Sequence, residues 1–254
     1  MGATSTKLKR ESTLAPDFLS RFSHDPDPKH PEDLIRDLDR DSNLSWLRGS
    51  KPAVSSTGAQ GSEQILRIMD ILLSSLLLAL LSPFLLLLIL AIKIESPGPS
   101  LFNQWRVGKD GVPFLMFKFR SMEFNAKPRG ISLTERNDAR VTRIGRFIRR
   151  HHIDEALQFF NVLRGEMSIV GPRPEMPAVA ELSKPNIPGY SERQTTAPGI
   201  TGLAQILNGY DDNLEGLRRT VALDSYWIRH RSPQNYLKIM LKTIPVVLRG
   251  VEHA

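Results

Sequence analysis

Residues 71–92 read ILLSSLLLALLSPFLLLLILAI, 22 positions without a charge, in which Ser74, Ser75 and Ser82 are the polar members. As a helix rising about 1.5 Å per residue, this run reaches roughly 33 Å, close to the ~30 Å hydrocarbon core of a bilayer. A core helix of a water-soluble domain keeps a polar stripe, and this run is apolar all round. The reading is membrane insertion. The run begins after residue 70, so it does not read as a secretory signal peptide.

Pro83 stands thirteenth of the 22. It has no N–H to donate and it crowds the preceding turn, so a kink or break is expected at Ser82-Pro83. The Ser82 hydroxyl can serve the backbone groups that are freed. Two arrangements follow: a kinked helix that spans the bilayer, or a re-entrant helix that dips into one leaflet and returns. Composition alone favours the span. Arg106, Lys109, Lys118 and Arg120 place the following body in the cytoplasm under either arrangement.

Outward from this run the chain divides sharply. Its 254 residues are 41% hydrophobic and 24% charged, with a formal net charge of +7. The pI is near 9.8 and the mean hydropathy −0.23. Residues 1–64 hold 9 basic and 10 acidic side chains, whereas 65–254 hold 25 and 17. The positive charge therefore belongs to the part that carries the membrane run, which points to an anionic partner: phosphate, lipid headgroup or nucleic acid. There is no cysteine, which excludes a disulfide scaffold, a thiol enzyme and a zinc finger. We divide the chain into a disordered or variable cytoplasmic tail over 1–62, weakly helical around Pro31–Trp46, a membrane helix over 63–95, and a catalytic body over 96–254.

In the body, Phe102–Arg106 and Phe114–Phe119 flank Gly108-Lys109-Asp110-Gly111, the pattern of a β-hairpin. Alternation with Phe117 and Phe119 puts Lys118 and Arg120 on one strand face. From Val141, apolar residues at 144, 147 and 148 alternate with Arg143, Arg146, Arg149 and Arg150, a basic amphipathic helix suited to anionic headgroups. A second helix is expected over Ile153–Arg164, with Asp154 and Glu155 in its first turn. On one continuous helix Arg149 and Asp154 lie about 140° apart, so they converge only if the chain turns at His151-His152. Further on, Gly171-Pro172-Arg173-Pro174 holds Arg173 on a stiff loop, where its guanidinium loses little entropy on meeting a phosphate. Pro198-Gly199-Ile200-Thr201-Gly202 is another glycine-rich turn. The terminal stretch from Tyr236 to Val251 reads as an interfacial helix interrupted at Pro245.

From about Gln64 to Gly250, these segments together resemble the bacterial sugar transferase family, the monotopic phosphoglycosyl transferases. The resemblance runs in order through Ser82-Pro83, Pro97-Gly98-Pro99 with Gln104, Arg106 and Gly108, and Lys118-Phe119-Arg120-Ser121-Met122. It continues through Asp138-Ala139-Arg140-Val141-Thr142, Gly145-Arg146-Phe147-Ile148-Arg149, Asp154-Glu155 with Asn161-Val162-Leu163-Arg164-Gly165, and Met167-Ser168-Ile169-Val170-Gly171-Pro172-Arg173-Pro174. It ends on Gly199-Ile200-Thr201-Gly202-Leu203-Ala204-Gln205.

The resemblance implies a mixed α/β, mainly helical fold: a re-entrant membrane helix broken at Ser82-Pro83, a β-hairpin, and amphipathic helices on the membrane interface. It implies transfer of a sugar 1-phosphate from a UDP-sugar to polyprenyl (undecaprenyl) phosphate with release of UMP, at the cytoplasmic face of the bacterial inner membrane, to begin an exopolysaccharide or O-antigen type of glycan. It makes Asp154 the nucleophile and Mg²⁺ the cofactor, held by Asp154 and Glu155. Lys118, Arg149 and Arg173 fall on phosphate-neutralising positions, and Asp224 on an acidic position for metal or donor binding. Anionic phospholipid is expected around it and nucleic acid is not. The sugar would be chosen by loops such as 124–137 and 178–215.

The departures are Ala156-Leu157 where the family usually carries Leu-Pro after the acidic pair, Glu166 for Asp, and Tyr236 where the family often has Asp before Leu237-Lys238-Ile239. His151 and His152 lack a third separated ligand motif and read as helix-end residues. The competing readings are a non-catalytic membrane-anchored scaffold on the same fold, and a membrane-tethered nucleic-acid binder suggested by charge alone.

Overall fold

The computed structural model describes residues 31–41, 44–47, 56–124, 138–208 and 214–249. The expectations for residues 1–30 and for the loop over 125–137 lie outside them. The helices are α1 (Pro31–Arg40), α2 (Ser56–Glu95), α3 (Arg143–Arg150), α4 (Gln158–Leu163), α5 (Pro177–Asn186), α6 (Leu203–Leu207), α7 (Leu214–His230) and α8 (Pro233–Arg249). The strands are β1 (Leu101–Val107), β2 (Pro113–Phe119), β3 (Ser168–Val170) and β4 (Gly199–Thr201), and 3₁₀ turns cover Ile153–Glu155 and Tyr190–Thr195. The architecture is mixed and mainly helical, as the sequence implies.

The apolar run forms most of α2. Leu66, Asp70, Ser74, Leu78, Leu85, Leu88 and Ile92 are buried. Spaced by three, four or seven, they form one stripe along the helix. The other faces carry Ile68, Leu72, Leu76, Leu80, Leu87 and Ile94, each between 56% and 77% exposed. An apolar surface of that extent marks a partner, here the bilayer. Of the kink or break expected at Ser82-Pro83, the break is not found: helix α2 runs from Ser56 to Glu95 with Pro83 inside it, which a kink at that residue allows. The local reason is visible. Pro83 cannot donate to the carbonyl of Ala79, and the Ser82 hydroxyl donates to that carbonyl instead, at 2.9 Å.

Both ends of α2 are tied to one body. Near the start, Arg67 donates to the carbonyls of Val162 and Leu163 at 2.6 and 2.9 Å, satisfying the C-terminus of α4. One turn on, the Asp70 carboxylate accepts from the Ile169 N–H at 2.8 Å, Ser168 Oγ at 3.0 Å and the Tyr236 hydroxyl at 2.6 Å. Tyr236, where the family often has Asp, thus latches α8 to the membrane helix. At the far end, Ser100 Oγ donates to Ile89 O at 3.0 Å, and Arg120 donates to Ser96 O at 2.7 Å and Pro97 O at 2.9 Å. The Glu95 carboxylate accepts from the Arg143 and Ile144 N–H groups at 2.7 and 3.0 Å, so the last residue of α2 caps α3.

The hairpin forms where its pattern places it. β1 and β2 pair antiparallel from Leu101↔Phe119 to Val107↔Pro113. Asp110 and Gly111, at φ 56 and 77, make the turn. The expected pair of cations on one strand face is not found. β2 ends at Phe119, and Arg120 is buried against the C-terminal turn of α2, while Lys118 reaches the acidic pair. β3 and β4 pair parallel, Ser168↔Gly199 and Val170↔Thr201. Their contact is backbone on backbone: a Cβ at Gly199 would overlap the Gly171 nitrogen, and one at Gly202 would overlap its carbonyl oxygen.

Another difference concerns the segment read as a tail. Ile35, Leu38, Leu44 and Leu47 are buried in the same core as Met167, Val170, Leu203, Trp227, Tyr236 and Ile239. Lys238 Nζ donates to Trp46 O at 2.6 Å, and Arg229 joins Glu32 at 3.0 Å. A boundary at residue 62 therefore does not separate this segment from the body. Its sparse aliphatics at 35, 38, 44 and 47 lie on one side, which composition averages conceal. α8 likewise runs through Pro245 without a break.

Candidate active site

The chain turns where Arg149 and Asp154 require it to. α3 ends at Arg150, His151 caps it with a ring nitrogen 3.0 Å from Phe147 O, and His152 adopts φ 54 in the left-handed region. Asp154 and Glu155 follow in the 3₁₀ turn, not in the first turn of an α-helix as expected. The tighter winding continues through i to i+3 bonds, Ala156 N–H to Ile153 O and Phe160 N–H to Leu157 O, both at 3.1 Å. This shorter path leaves the two adjacent carboxylates in different surroundings.

Glu155 is buried, and its Oε1 accepts from Lys118 Nζ and Arg173 Nη2, each at 2.9 Å. Burial alone would raise its carboxyl, but Arg173 and Lys118 outweigh it and hold Glu155 well below the usual carboxylate range. Asp154 moves the other way. Burial and the neighbouring Glu155 charge push it up, against the pull of Lys118, Arg149 and His152. Among the described residues its carboxylate has no hydrogen-bond or ion-pair partner, and Glu155 Oε2 has none either. The pair is thus one clamped and one unengaged carboxylate.

Three elements bring this together. β2 delivers Lys118, and its register is fixed by Asn161, which accepts from Phe117 N–H at 3.0 Å and donates to Leu115 O and Glu166 Oε2 at 2.8 and 2.7 Å. Glu166, the mild departure from the family, is what completes that amide. The loop after β3 delivers Arg173. α3 and the turn deliver Arg149 and Asp154, which interact electrostatically.

Asp224 is not in this cluster. It is 1% exposed and pairs with Arg193 at 2.7 Å. Arg193 Nη2 then donates to Arg173 O at 3.3 Å and lies 3.5 Å from Glu175. This places Asp224 behind the Arg173 loop. Arg193, Asn161 and Asp70 were not singled out in the sequence. Arg193 sits in the polar run 191–196, Asp70 at the edge of the apolar run and Asn161 inside a motif, and the buried partner that gives each its meaning is distant in the chain. Among the described residues no group of three or more His, Asp or Glu side chains forms a metal cluster, and the two histidines cap and turn the helix end. Two adjacent carboxylates still suit Mg²⁺, which commonly takes one or two protein carboxylates and completes its shell with phosphate and water oxygens. The unpartnered Asp154 carboxylate and Glu155 Oε2 are such donors.

Residues 61–250 match the bacterial sugar transferase family. The UDP-glucose:undecaprenyl-phosphate glucose-1-phosphate transferase of Caulobacter vibrioides is 45% identical over 184 residues, 72% of this chain and 69% of that protein. The UDP-N-acetylgalactosamine-undecaprenyl-phosphate N-acetylgalactosaminephosphotransferase of Aeromonas hydrophila is 42% identical over 73% of this chain, which spans 44% of that longer protein. The exopolysaccharide production protein PSS of Rhizobium leguminosarum bv. phaseoli is 41% identical over 70% of this chain and 92% of its own length.

Proposed function

Because the chain belongs to the bacterial sugar transferase family and is a phosphoglycosyl transferase, we propose that it moves a hexose 1-phosphate from a UDP-sugar to polyprenyl phosphate through a covalent intermediate on Asp154. The observation that carries this reading is the division of labour between the neighbours: Glu155 clamped by Lys118 and Arg173, Asp154 unengaged. Adjacent titratable groups whose surroundings drive them apart take different chemical roles.

Asp154 Oδ attacks the sugar-bearing phosphorus. The bond from that phosphorus to the bridging oxygen breaks, the electron pair leaves with UMP, and an acyl phosphate remains. An oxygen of the polyprenyl phosphate then attacks the same phosphorus, the bond to Asp154 breaks, and the free carboxylate returns. Lys118, Arg149 and Arg173 offset the phosphate charge in both steps. Mg²⁺ held by Asp154 and Glu155 would supply further charge neutralisation. Passing the phosphosugar through Asp154, nucleophile in the first step and leaving group in the second, lets a soluble donor and a lipid acceptor occupy the site in turn.

The same reading makes α2 re-entrant at the cytoplasmic face of the inner membrane. What supports it is that Arg67 and Asp70 at one end, and Ile89 to Glu95 at the other, hold the same body. A helix that crossed the bilayer would carry one end away from that body. The cysteine-free chain allows a direct check: Ser62→Cys and Lys93→Cys should both label from the cytoplasmic side alone, and labelling of Ser62→Cys from the opposite side would refute re-entry.

The reaction is tested by UMP release from purified protein in nanodiscs, with UDP-glucose, UDP-galactose and UDP-N-acetylgalactosamine offered in turn. Release should need Mg²⁺ and polyprenyl phosphate for turnover and should vanish in Asp154→Asn. Turnover that survives in that variant would sink the covalent assignment.

A further inference from the structure

α1, Trp46, α7 and α8 leave between them a cavity of about 300 Å³, the lower end of the size range of small-molecule sites. None of its lining residues belongs to the Asp154 cluster. Its floor is apolar, from Leu38, Leu207 and Leu223, and its polar wall holds Asp41, Arg219 and Lys242. Lys242 Nζ lies 4.7 Å from the centre of the Trp46 ring, a cation–π contact that fixes the ammonium in place. Lys118, Arg173, Arg193, Arg229 and Arg231 all have carboxylate partners. Among the described residues Arg219 and Lys242 have none. Two unpaired cations at one cavity favour an anion.

α8 says what kind of anion. Leu237, Leu241, Ile244 and Leu248 recur at spacings of four, three and four and are 46%, 65%, 53% and 76% exposed. Lys238 and Lys242 stand one position on from Leu237 and Leu241, about 100° round the helix. A helix seated with this stripe among acyl chains holds those ammonium groups at the level of the headgroups. That seating favours a phosphate that itself carries acyl chains, as a glycerophospholipid does, over a free phosphate.

We propose that this cavity is a binding site for the phosphodiester headgroup of an anionic glycerophospholipid. Arg219 and Lys242 take the phosphate, Trp46 forms the interfacial wall, and the acyl chains leave along α8. Because Leu38, Asp41 and Trp46 lie outside the matched residues 61–250, the site is built partly by the segment that precedes the family core.

The test uses full-length protein in detergent carrying Trp105→Phe, so that Trp46 is the responsive indole beside the 2% exposed Trp227. Dihexanoyl phosphatidylglycerol, kept below its micellar concentration, should change Trp46 fluorescence saturably. Arg219→Gln with Lys242→Gln should weaken it at least about tenfold, as expected for two lost charge-assisted contacts, while Lys184→Gln should leave it unchanged. Lys242→Arg should bind and so separates loss of charge from loss of fold. Asp154→Asn protein should bind as well as the parent, which keeps the outcome independent of the catalytic reading. Equal affinity in the double variant would overturn the site. Saturation by inorganic phosphate with the same affinity would make it a free-anion site, and stronger binding of a short polyprenyl phosphate would make it an acceptor site. Either result would overturn the lipid assignment.

Discussion

Arg193 and Asp224 form an ion pair at 2.7 Å with side chains 4% and 1% exposed, and the same guanidinium reaches the main-chain oxygen of Arg173 at 3.3 Å. Burial works against the charge on Arg193, but Asp224, Tyr190 and Glu175 outweigh it, so the group is held above its ordinary range. The pair orders the loop whose side chain clamps Glu155. Asp224→Asn should cost about 3–5 kcal/mol, because a buried cation is left without its partner, and should lower kcat. Arg193→Met with Asp224→Leu should recover most of the thermal stability, since apolar replacement of a buried pair is often neutral, yet leave kcat low because the Arg173 carbonyl has lost its donor. Thermal melts beside UMP-release kinetics check both halves.

Asp154→Asn should separate stability from function. Burial and Glu155 disfavour the charged form of Asp154, so removing that charge should stabilise the fold while activity disappears. A gain of about 1 kcal/mol corresponds to roughly 2–4 °C in Tm for a chain of this size. Differential scanning fluorimetry of parent and variant at neutral pH reads it.

The two carboxylates predict opposite linkage to pH. Glu155 lies well below its ordinary value in the fold. Its contribution to stability is present above the unfolded value and is lost as pH falls through the folded one. Asp154 lies above its ordinary value, so its contribution is fullest below the unfolded value and is lost as pH rises through the folded one. Activity should therefore fall on the acid side at a pH above the ordinary Asp value. Lys118→Ala should move the stability loss of Glu155 upward, because one of its two cations is gone. Melting temperatures and kcat from pH 4 to 8 resolve the two.

The Asp70–Tyr236 latch gives a further test. Burial and the Asp70 carboxylate push the Tyr236 phenol above its ordinary range, so it stays a donor throughout the physiological range. Tyr236→Phe removes one of three donors to a buried carboxylate and should cost about 1–3 kcal/mol. Asp70→Asn should cost at least as much, since it weakens the Ile169 and Ser168 contacts too. Denaturant titration in detergent measures the order.

Much of this was legible in the sequence because it depends on local rules. The apolar run, the glycine-rich hairpin turn and the turn required at His151-His152 follow from length, φ requirements and helical angle. The Asp154-Glu155 pair and its basic partners were legible through the order of motifs. What was not legible depends on partners far apart. Arg120 reads as a strand cation, and it is a clamp on α2 because Ser96 and Pro97 present carbonyls to it. Asp224 reads as a ligand, and it is a counter-charge because Arg193 is buried beside it. That helix α2 continues past Pro83 instead of ending there is aided by a hydroxyl bond one residue back, which residue type permits and only geometry decides.

The docking of the early segment has a consequence for biosynthesis. Glu32 and Leu47 are held by Arg229 and Asn235, partners 197 and 188 residues later in the chain. During translation this segment emerges long before those partners and waits, its Ile35, Leu38, Leu44 and Leu47 uncovered, while α2 is made. Contacts of such long sequence separation form slowly. The core around this segment therefore closes only after α8 has been made.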